Sequence, residues 1–248
     1  GIWGLRPTHG RASLDGVQPL APSYDAVGLF ARNGATLARA VDALIGPDTV
    51  DLPPNPVLLR PTDMIAQLAP EKKAMYNCFF GALSAQDVEV FPQGVAAAYD
   101  IFLTTISGDA KAAIVPWIKA SGMPLVRGID GRLAAAEQLT EAQIADARKA
   151  RANYAAKIVA LLGDTGVLLA PVVPEAPFRL DAPSEVFDTY RHDAMRLLCV
   201  AGLVGLPQVT FPASIVDGAP FGLSLIGPRG SDLSLIALAN ALPKGTTA

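Results

Sequence analysis

A serine, a histidine and an aspartate lie close together in the first stretch of the chain, GIWGLRPTHGRASLDG. Ser13, His9 and Asp15 are the residue types of a site in which histidine takes the proton of a serine nucleophile. Three such residues within one loop rarely face each other correctly, and polar residues among glycines more often form turns. We therefore interpret them as turn residues and keep the nucleophilic arrangement as the alternative. Elsewhere, FGLSLIG lacks the glycine spacing of a nucleophile elbow.

The sequence offers few groups for holding a metal ion or a phosphate. It contains two histidines, His9 and His192, and neither lies in a ligand-spaced pattern, so we expect no metal site. GPRGSD, before the last helix, is the nearest match to a phosphate loop. Its Ser231 and Asp232 are more simply explained as a helix cap and a first-turn acid. Taken alone, the residues predict no cofactor.

Charge and hydropathy argue against several classes of partner. The chain has 248 residues, with 20 Lys plus Arg against 23 Asp plus Glu, a net charge of −3. This balance favours neither a nucleic acid nor an anionic membrane surface. The hydrophobic fraction is 51%, yet no apolar run approaches the roughly 20 residues that cross a bilayer. We expect a soluble protein whose partner is a small molecule; the sequence does not indicate an oligomeric state.

Both cysteines and a lysine doublet carry simple structural interpretations. Cys78 and Cys199 lie in the apolar runs NCFFG and LLCVAG, which indicates buried free thiols in a reducing compartment and a cytoplasmic location. Lys72 and Lys73 are typical of a solvated helix face.

Alternating strand and helix signals define the elements that would position these residues. The first half predicts a strand at 26–32, a helix between Asn33 and Gly46, a strand at 56–60, helices from Thr62 and Pro70, and a parallel strand at 87–91. A helical stretch over 92–121 is predicted to break near Gly108 and at Pro116, and 121–132 is predicted to be a loop.

The second half predicts a long helix from Thr140 to about Leu162, a buried strand at 166–171, a helix capped by Ser184 that runs to about Leu203, a hairpin turning at VDGA, and a last helix from Ser231. This order predicts an α/β fold with a mixed, mostly parallel twisted sheet flanked by helices. Because no repeat or linker interrupts the pattern, we expect residues 1–248 to form a single domain.

Two long blocks of sequence resemble the amidase signature hydrolases. GLRPTHGRASLDGVQPLAPSYDAVGLFAR is similar to the segment after the catalytic serine of that family, in which Gly-Leu-Lys/Arg-Pro-Thr precedes Gly-Arg-x-Ser and Ser-x-Asp-x-x-Gly; these elements correspond to residues 4–8, 10–13 and 23–28. GVLLAPVVPEAP and GLPQVTFPASIVDGAPFGLSLIGPRGSDLSLIALA resemble its pocket loop and its closing hairpin and helix. Within the family, the residues of these blocks are most similar to those of small bacterial amidases and indole-3-acetamide hydrolase-like amidases.

The resemblance implies an enzyme that hydrolyses a carboxylic amide to an acid plus ammonia or an amine. In that family a serine forms an acyl-enzyme, a second serine and a lysine provide the base, and no metal or cofactor takes part. All three groups precede Gly-Leu-Lys/Arg-Pro-Thr, so no catalytic residue is assigned in this sequence. We therefore expect an amidase-like domain that is incomplete at its N-terminus, inactive alone, and exposes an apolar sheet edge or face.

By the same resemblance, the mid-chain helices, the loop after LLAP and the helix before GLPQ line the acyl pocket. The candidate pocket residues are Trp3, Tyr99, Phe102, Pro171, Val173 and Met195. The alternative for each is a plain core residue, and for Tyr99 and Phe102 this alternative is favoured. His192 is predicted to lie on a helix surface.

Two other functions stay open at this point. Some relatives of the amidase signature hydrolases have lost the nucleophile and act in binding, so a non-catalytic amidase-like binding or interaction domain is the main alternative. An independent small-molecule binding protein would need a finished core and covered sheet edges.

Overall fold

The computed structural model describes residues 1–122, 129–216 and 218–242. Within these ranges the chain forms one seven-stranded sheet and nine helices. The strands are β1 (Trp3–Arg6), β2 (Leu29–Ala31), β3 (Val57–Pro61), β4 (Gln86–Val88), β5 (Gly166–Pro171), β6 (Gln208–Val216) and β7 (Ala219–Ile226). The helices are α1 (Gly34–Ile45), α2 (Thr62–Ile65), α3 (Pro70–Phe80), α4 (Val95–Ala113), α5 (Val115–Ser121), α6 (Ile129–Gln138), α7 (Glu141–Leu162), α8 (Ser184–Val204) and α9 (Asp232–Ala241).

The sheet is mixed, as predicted, with the strand order β2-β1-β6-β7-β5-β3-β4. The expectation that it is mostly parallel is wrong. Only the two pairings of β3, with β4 and with β5, are parallel, and the other four pairings among the described strands are antiparallel. The physical reason is connectivity. Parallel neighbours need a helical crossover, and helices α2 to α7 supply the crossovers that link β3, β4 and β5. The β6–β7 hairpin instead reverses the chain, so these two strands pair antiparallel.

Local capping signals place the helices that the sequence predicted with most support. The Asn33 side chain accepts a hydrogen bond from the Thr36 N–H at 2.8 Å, and α1 ends at Gly46. Thr140 and Gln143 form a reciprocal capping box at the start of α7. These interactions lie within four residues of the chain, which is why sequence alone could find them.

Three local predictions are wrong. Helix α4 runs through Gly108 without a break. A Cβ at Gly108 would lie 2.9 Å from the Ile144 side chain, so the glycine serves to let α7 approach α4 closely. The loop predicted at 121–132 is helical at both ends, since Ser121 ends α5 and residues 129–132 begin α6; residues 123–128 lie outside the described residues. The cap of α8 is Pro183 with no side-chain hydrogen bond, so Ser184 is its first residue rather than its cap.

Helix α3 corrects two predictions about burial. Lys72, Tyr76 and Phe80 are spaced four apart and all three are buried, so Lys72 does not belong to a solvated face. Cys78 lies on the opposite side of the helix and is exposed. Cys199 of α8 is buried as predicted, and both thiols are free. Burial raises the pKa of the Cys199 thiol to about 12.

Helices cover both faces of the sheet. Successive side chains of β1 point to opposite faces, so Trp3 and Leu5 share one face while Gly4 and Arg6 share the other. Helix α1 packs against α9 and β1, and α4 packs against α7 and α8.

Among the described residues no single helix is long and apolar enough to cross a membrane, although α4 and α5, bent by 44°, meet that test of length and composition as a pair.

A polar contact joins α4 and α7 to the loop between β1 and β2. Asp109 accepts a hydrogen bond from the Ser23 N–H at 3.0 Å and another from Arg148 at 3.1 Å. Burial raises the pKa of Asp109, but the bonds from Ser23 and Arg148 outweigh it and hold that pKa below its usual value.

Candidate functional site

A buried ionic cluster holds the opening segment of the chain against the last helix. Asp232 is fully buried, and its carboxylate accepts hydrogen bonds from the Thr8 N–H at 2.7 Å, the Thr8 hydroxyl at 2.8 Å and the Arg11 guanidinium at 2.8 Å. Asp48 lies 3.3 Å from the same guanidinium and accepts two backbone N–H bonds from the first turn of α9. These contacts fix the path of the chain on leaving β1.

This cluster replaces the predicted cap of the last helix. Ser231 makes no side-chain capping bond and instead donates its hydroxyl to the Pro228 carbonyl at 2.8 Å. The first turn of α9 is capped from a distant loop by Asp48. Asp232 is therefore more than a first-turn acid, because its partners lie at the other end of the chain.

Two arginines cap the C-terminal end of α8 beside the same segment. Arg151 donates to the Leu203 carbonyl at 2.9 Å and to the Ser23 hydroxyl at 2.6 Å. Arg229 donates to the Gly205 carbonyl at 3.0 Å. Cations at a helix C-terminus satisfy its free carbonyls and complement its dipole. The Arg151 guanidinium also lies 3.9 Å from the centroid of the Tyr24 ring.

The loop residues Ser13, His9 and Asp15 do not form a nucleophilic triad. The Asp15 backbone N–H donates to the Ser13 hydroxyl at 3.1 Å, which is a turn contact. The Nδ1 atom of His9 is buried and has no hydrogen-bond partner among the described residues. Burial lowers the pKa of His9, and the charges of Arg6 and Arg229 lower it further. The turn interpretation is therefore the correct one.

A cavity of about 500 Å³ lies between the sheet and helices α4 and α8; we call it the sheet–helix cavity. Its sheet side presents Arg6, Gln208 and Thr210, and its helix side presents Phe102 and Met195. The cavity thus joins a polar floor to an apolar wall. This volume is in the range of small-molecule sites.

A second cavity, of about 540 Å³, lies on the opposite face beside the β6–β7 hairpin; we call it the hairpin cavity. Trp3 and Phe211 line it with ring centroids 5.5 Å apart. Gly1 also lines it, and a Cβ on Gly1 would lie 3.3 Å from Pro220. Any chain continuing back from Gly1 would begin at this cavity.

The six predicted pocket residues divide among separate places. Phe102 and Met195 line the sheet–helix cavity, and Trp3 lines the hairpin cavity. Tyr99 is buried, stacks on Phe102 with centroids 6.2 Å apart, and meets the ring of the exposed His192 at 5.0 Å.

The remaining two pocket candidates line neither cavity. Pro171 is buried at the end of β5, where it pairs with Leu223, and Val173 is half-buried just beyond it.

Sequence reasoning missed the polar floor of the sheet–helix cavity. Arg6 and Gly4 alternate with buried apolar residues along β1, and Gln208 and Thr210 do so along β6. This period of two, shared by two strands that pair in the register Arg6 with Gln208, is the signal that could have found it. Within the described parts of the chain, no group of three or more His, Cys, Asp or Glu residues could hold a metal ion.

Comparison with known proteins defines the family. The family model described as Amidase matches residues 1–117 and 125–236. Amidase 1 of Arabidopsis thaliana is 27% identical, over 98% of this chain and 65% of its own length. The protein named Translocon at the outer membrane of chloroplasts 64, from Pisum sativum, is 24% identical over 95% of this chain and 45% of its own length.

Solved structures agree on the fold. A crystal structure of an amidase superposes with a TM-score of 0.81 at 23% identity, covering 97% of this chain and 57% of the other. The chain therefore spans less than two thirds of the length of each of these relatives. Since the family model matches both sequence blocks that carry the motifs and most of the chain between them, the chain belongs to the amidase family.

Proposed function

We propose that this chain forms the substrate-binding part of an enzyme that hydrolyses a carboxylic amide to an acid plus ammonia or an amine. The observation that carries the proposal is the match of the Amidase family model to residues 1–117 and 125–236. The reaction proceeds through a serine acyl-enzyme and requires neither metal nor cofactor, and we place it in the cytoplasm.

The proposal divides the chemistry between this chain and residues outside it. Acyl transfer needs a nucleophile within hydrogen-bond reach of its base. In the proposal, the serine nucleophile, the second serine and the lysine precede Gly1 in the polypeptide, and the 248 residues form one domain that is incomplete at its N-terminus. The chain alone is then inactive, because removing the nucleophile and base together removes the covalent route.

The acyl group of the amide occupies the sheet–helix cavity, which two of the six predicted pocket residues line. Phe102 and Met195 supply an apolar wall in the sheet–helix cavity, and Trp3 lies beside the chain start, where the nucleophile loop would join. Tyr99 supports Phe102 from behind through their ring contact. Pro171 and Val173 border the end of β5 and belong to the proposed pocket only through the resemblance.

The test compares two proteins, the printed chain and the complete product of its gene. Both are incubated with benzamide and hexanamide, ammonia release is followed, and a fluorophosphonate is used to label an activated serine. We expect turnover and labelling upstream of Gly1 in the complete product and neither in the printed chain. Serine-dependent turnover by the printed chain alone would contradict the division of labour, and a complete product without turnover would contradict the enzyme.

A second candidate is a non-catalytic amidase-like binding or interaction domain. The observation that favours it is the similarity to the Pisum sativum protein named as a translocon of the chloroplast outer membrane. This candidate predicts that the complete gene product is not labelled by the fluorophosphonate and releases no ammonia from either amide, so the same experiment separates it from the enzyme.

A further inference from the structure

Arg6 brings a half-buried positive charge to the floor of the sheet–helix cavity. The residue lines the cavity, and its Nη2 atom donates to the Tyr24 carbonyl at 2.9 Å. Its Nε atom is buried without a hydrogen-bond partner, and no carboxylate lies within ion-pair distance of it among the described residues. A half-buried guanidinium without a counter-ion is incompletely hydrated, so an anion that enters the cavity is favoured there.

The surrounding charges do not neutralise Arg6. Asp25 lines the same cavity, but its carboxylate already accepts the backbone N–H groups of Leu20 and Ala21, at 3.0 Å from its Oδ2 atom. Arg151 adds a second positive charge nearby. Burial lowers the pKa of Arg6 and the charge of Arg151 lowers it further, while Tyr24 and Asp25 act in the opposite direction. An arginine keeps its charge despite such a shift, because its unperturbed pKa exceeds about 12.

The cavity also has room and apolar surface for the body of a ligand. Two glycines keep it open: Gly4 on the floor and Gly202 of α8, where a Cβ would reach 3.5 Å from the Tyr24 ring. Ile106 and Met195 contribute apolar side chains from α4 and α8. A volume of about 500 Å³ suits a ligand with a short hydrocarbon body and one charged end.

We propose that the sheet–helix cavity binds a short-chain carboxylate whose anionic group pairs with Arg6 and whose hydrocarbon body packs against Phe102, Ile106 and Met195. The pairing gives the Arg6 guanidinium an anionic acceptor, and guanidinium and carboxylate can join through two parallel hydrogen bonds. The carboxylate can be the free acid left after amide hydrolysis or a second acid group on an amide; the binding chemistry is the same.

Binding is measured by calorimetry on the complete gene product, with hexanoate and the neutral ketone 2-heptanone as probes, neither of which has an amide bond to hydrolyse. We expect hexanoate to bind, and Arg6→Gln to weaken it by about tenfold or more, as loss of a charged hydrogen bond does. Arg60→Gln, which removes an exposed ion pair on β3, is the matched arginine control and keeps wild-type affinity. Unchanged hexanoate affinity in Arg6→Gln, or equal binding of the acid and the ketone, would overturn the proposal.

A second variant keeps the test decisive if Arg6→Gln fails to fold. Ile106→Phe narrows the cavity and leaves Arg6 in place, so it should weaken hexanoate binding without changing the charge. A folded Ile106→Phe protein that binds hexanoate as tightly as the wild type also overturns the proposal.

Kinetics separate the two sources of the carboxylate. If hexanoate competes with hexanamide during hydrolysis, the ligand is the acid product. If Arg6→Gln lowers kcat/KM for adipamic acid more than for hexanamide, the ligand is a second acid group of the substrate. Because binding is measured without turnover, loss of the amidase proposal would leave the binding result standing.

Discussion

Replacement of Asp232 by alanine should destabilise the fold more than any exposed ion-pair change. The carboxylate is fully buried and accepts three hydrogen bonds, two from Thr8 and one from Arg11. Breaking a buried pair by removing one partner costs about 3–5 kcal/mol, because a charge and its donors stay behind. Arg11 keeps Asp48 as a partner at 3.3 Å, so we place the loss in unfolding free energy at about 3–4 kcal/mol.

Guanidinium denaturation followed by tryptophan fluorescence and far-ultraviolet circular dichroism measures this loss. A change of that size lowers Tm by about 10 °C in a chain of this length. Asp232→Asn keeps the shape and one acceptor, so we expect about half the effect. Asp87→Asn is the matched control, because its ion pair with Arg60 is exposed and contributes about 0.5 kcal/mol or less.

The double variant Thr8→Val with Asp232→Asn tests whether the contact itself is responsible. We expect its loss to fall short of the sum of the two single losses by about 1 kcal/mol, since the variants share one hydrogen-bonded pair. The reasoning fails if Asp232→Ala costs no more than Asp87→Asn, or if the two single losses simply add.

Three further predictions concern the thiols, the helix contacts and pH. Iodoacetamide at about pH 8 should label exposed Cys78 and leave Cys199 intact, because burial raises the pKa of Cys199 to about 12 and its reactive thiolate is then scarce. Mass spectrometry of the labelled native protein checks this, and equal labelling of the two cysteines would contradict it. Gly108→Ala should destabilise by about 1–2 kcal/mol through overpacking, whereas Gly131→Ala, in an exposed part of α6 with open space, should stabilise by about 0.5–1 kcal/mol. The lowered folded pKa of Asp109 means that its contribution to stability is present above the unfolded value of about 3.9 and is lost as pH falls. Unfolding free energy measured from neutral to acid pH should therefore fall less steeply in Asp109→Asn, and an unchanged slope would refute the shift.

Features written in short stretches of sequence could be predicted. The Asn33 cap, the end of α1 at Gly46 and the capping box at Thr140 each depend on neighbours within a few residues. The hairpin of β6 and β7 follows from two apolar strands with a turn between them, although Asp217 in that turn lies outside the described residues. The family resemblance also rests on contiguous motifs, and the family model matches both ends of the chain.

The buried face of α3 was predictable in principle but missed. Lys72, Tyr76 and Phe80 share one face by their spacing of four, so the phase of the helix, rather than residue type, buries the lysine and exposes Cys78. A lysine can join an apolar face because its hydrocarbon stem packs there.

By itself, the sequence determined the family, the α/β class and most helix starts, because these depend on contiguous residues and local hydrogen bonds. Only the tertiary structure decided the roles of two charged residues, Asp232 and Arg6. Asp232 reads as an ordinary first-turn acid until the fold brings it to Thr8, which is 224 positions away in the chain. Arg6 becomes the charged floor of a cavity only when β1 pairs with β6. Burial and charge pairing are properties of residues that are distant along the chain, and folding is what makes them neighbours.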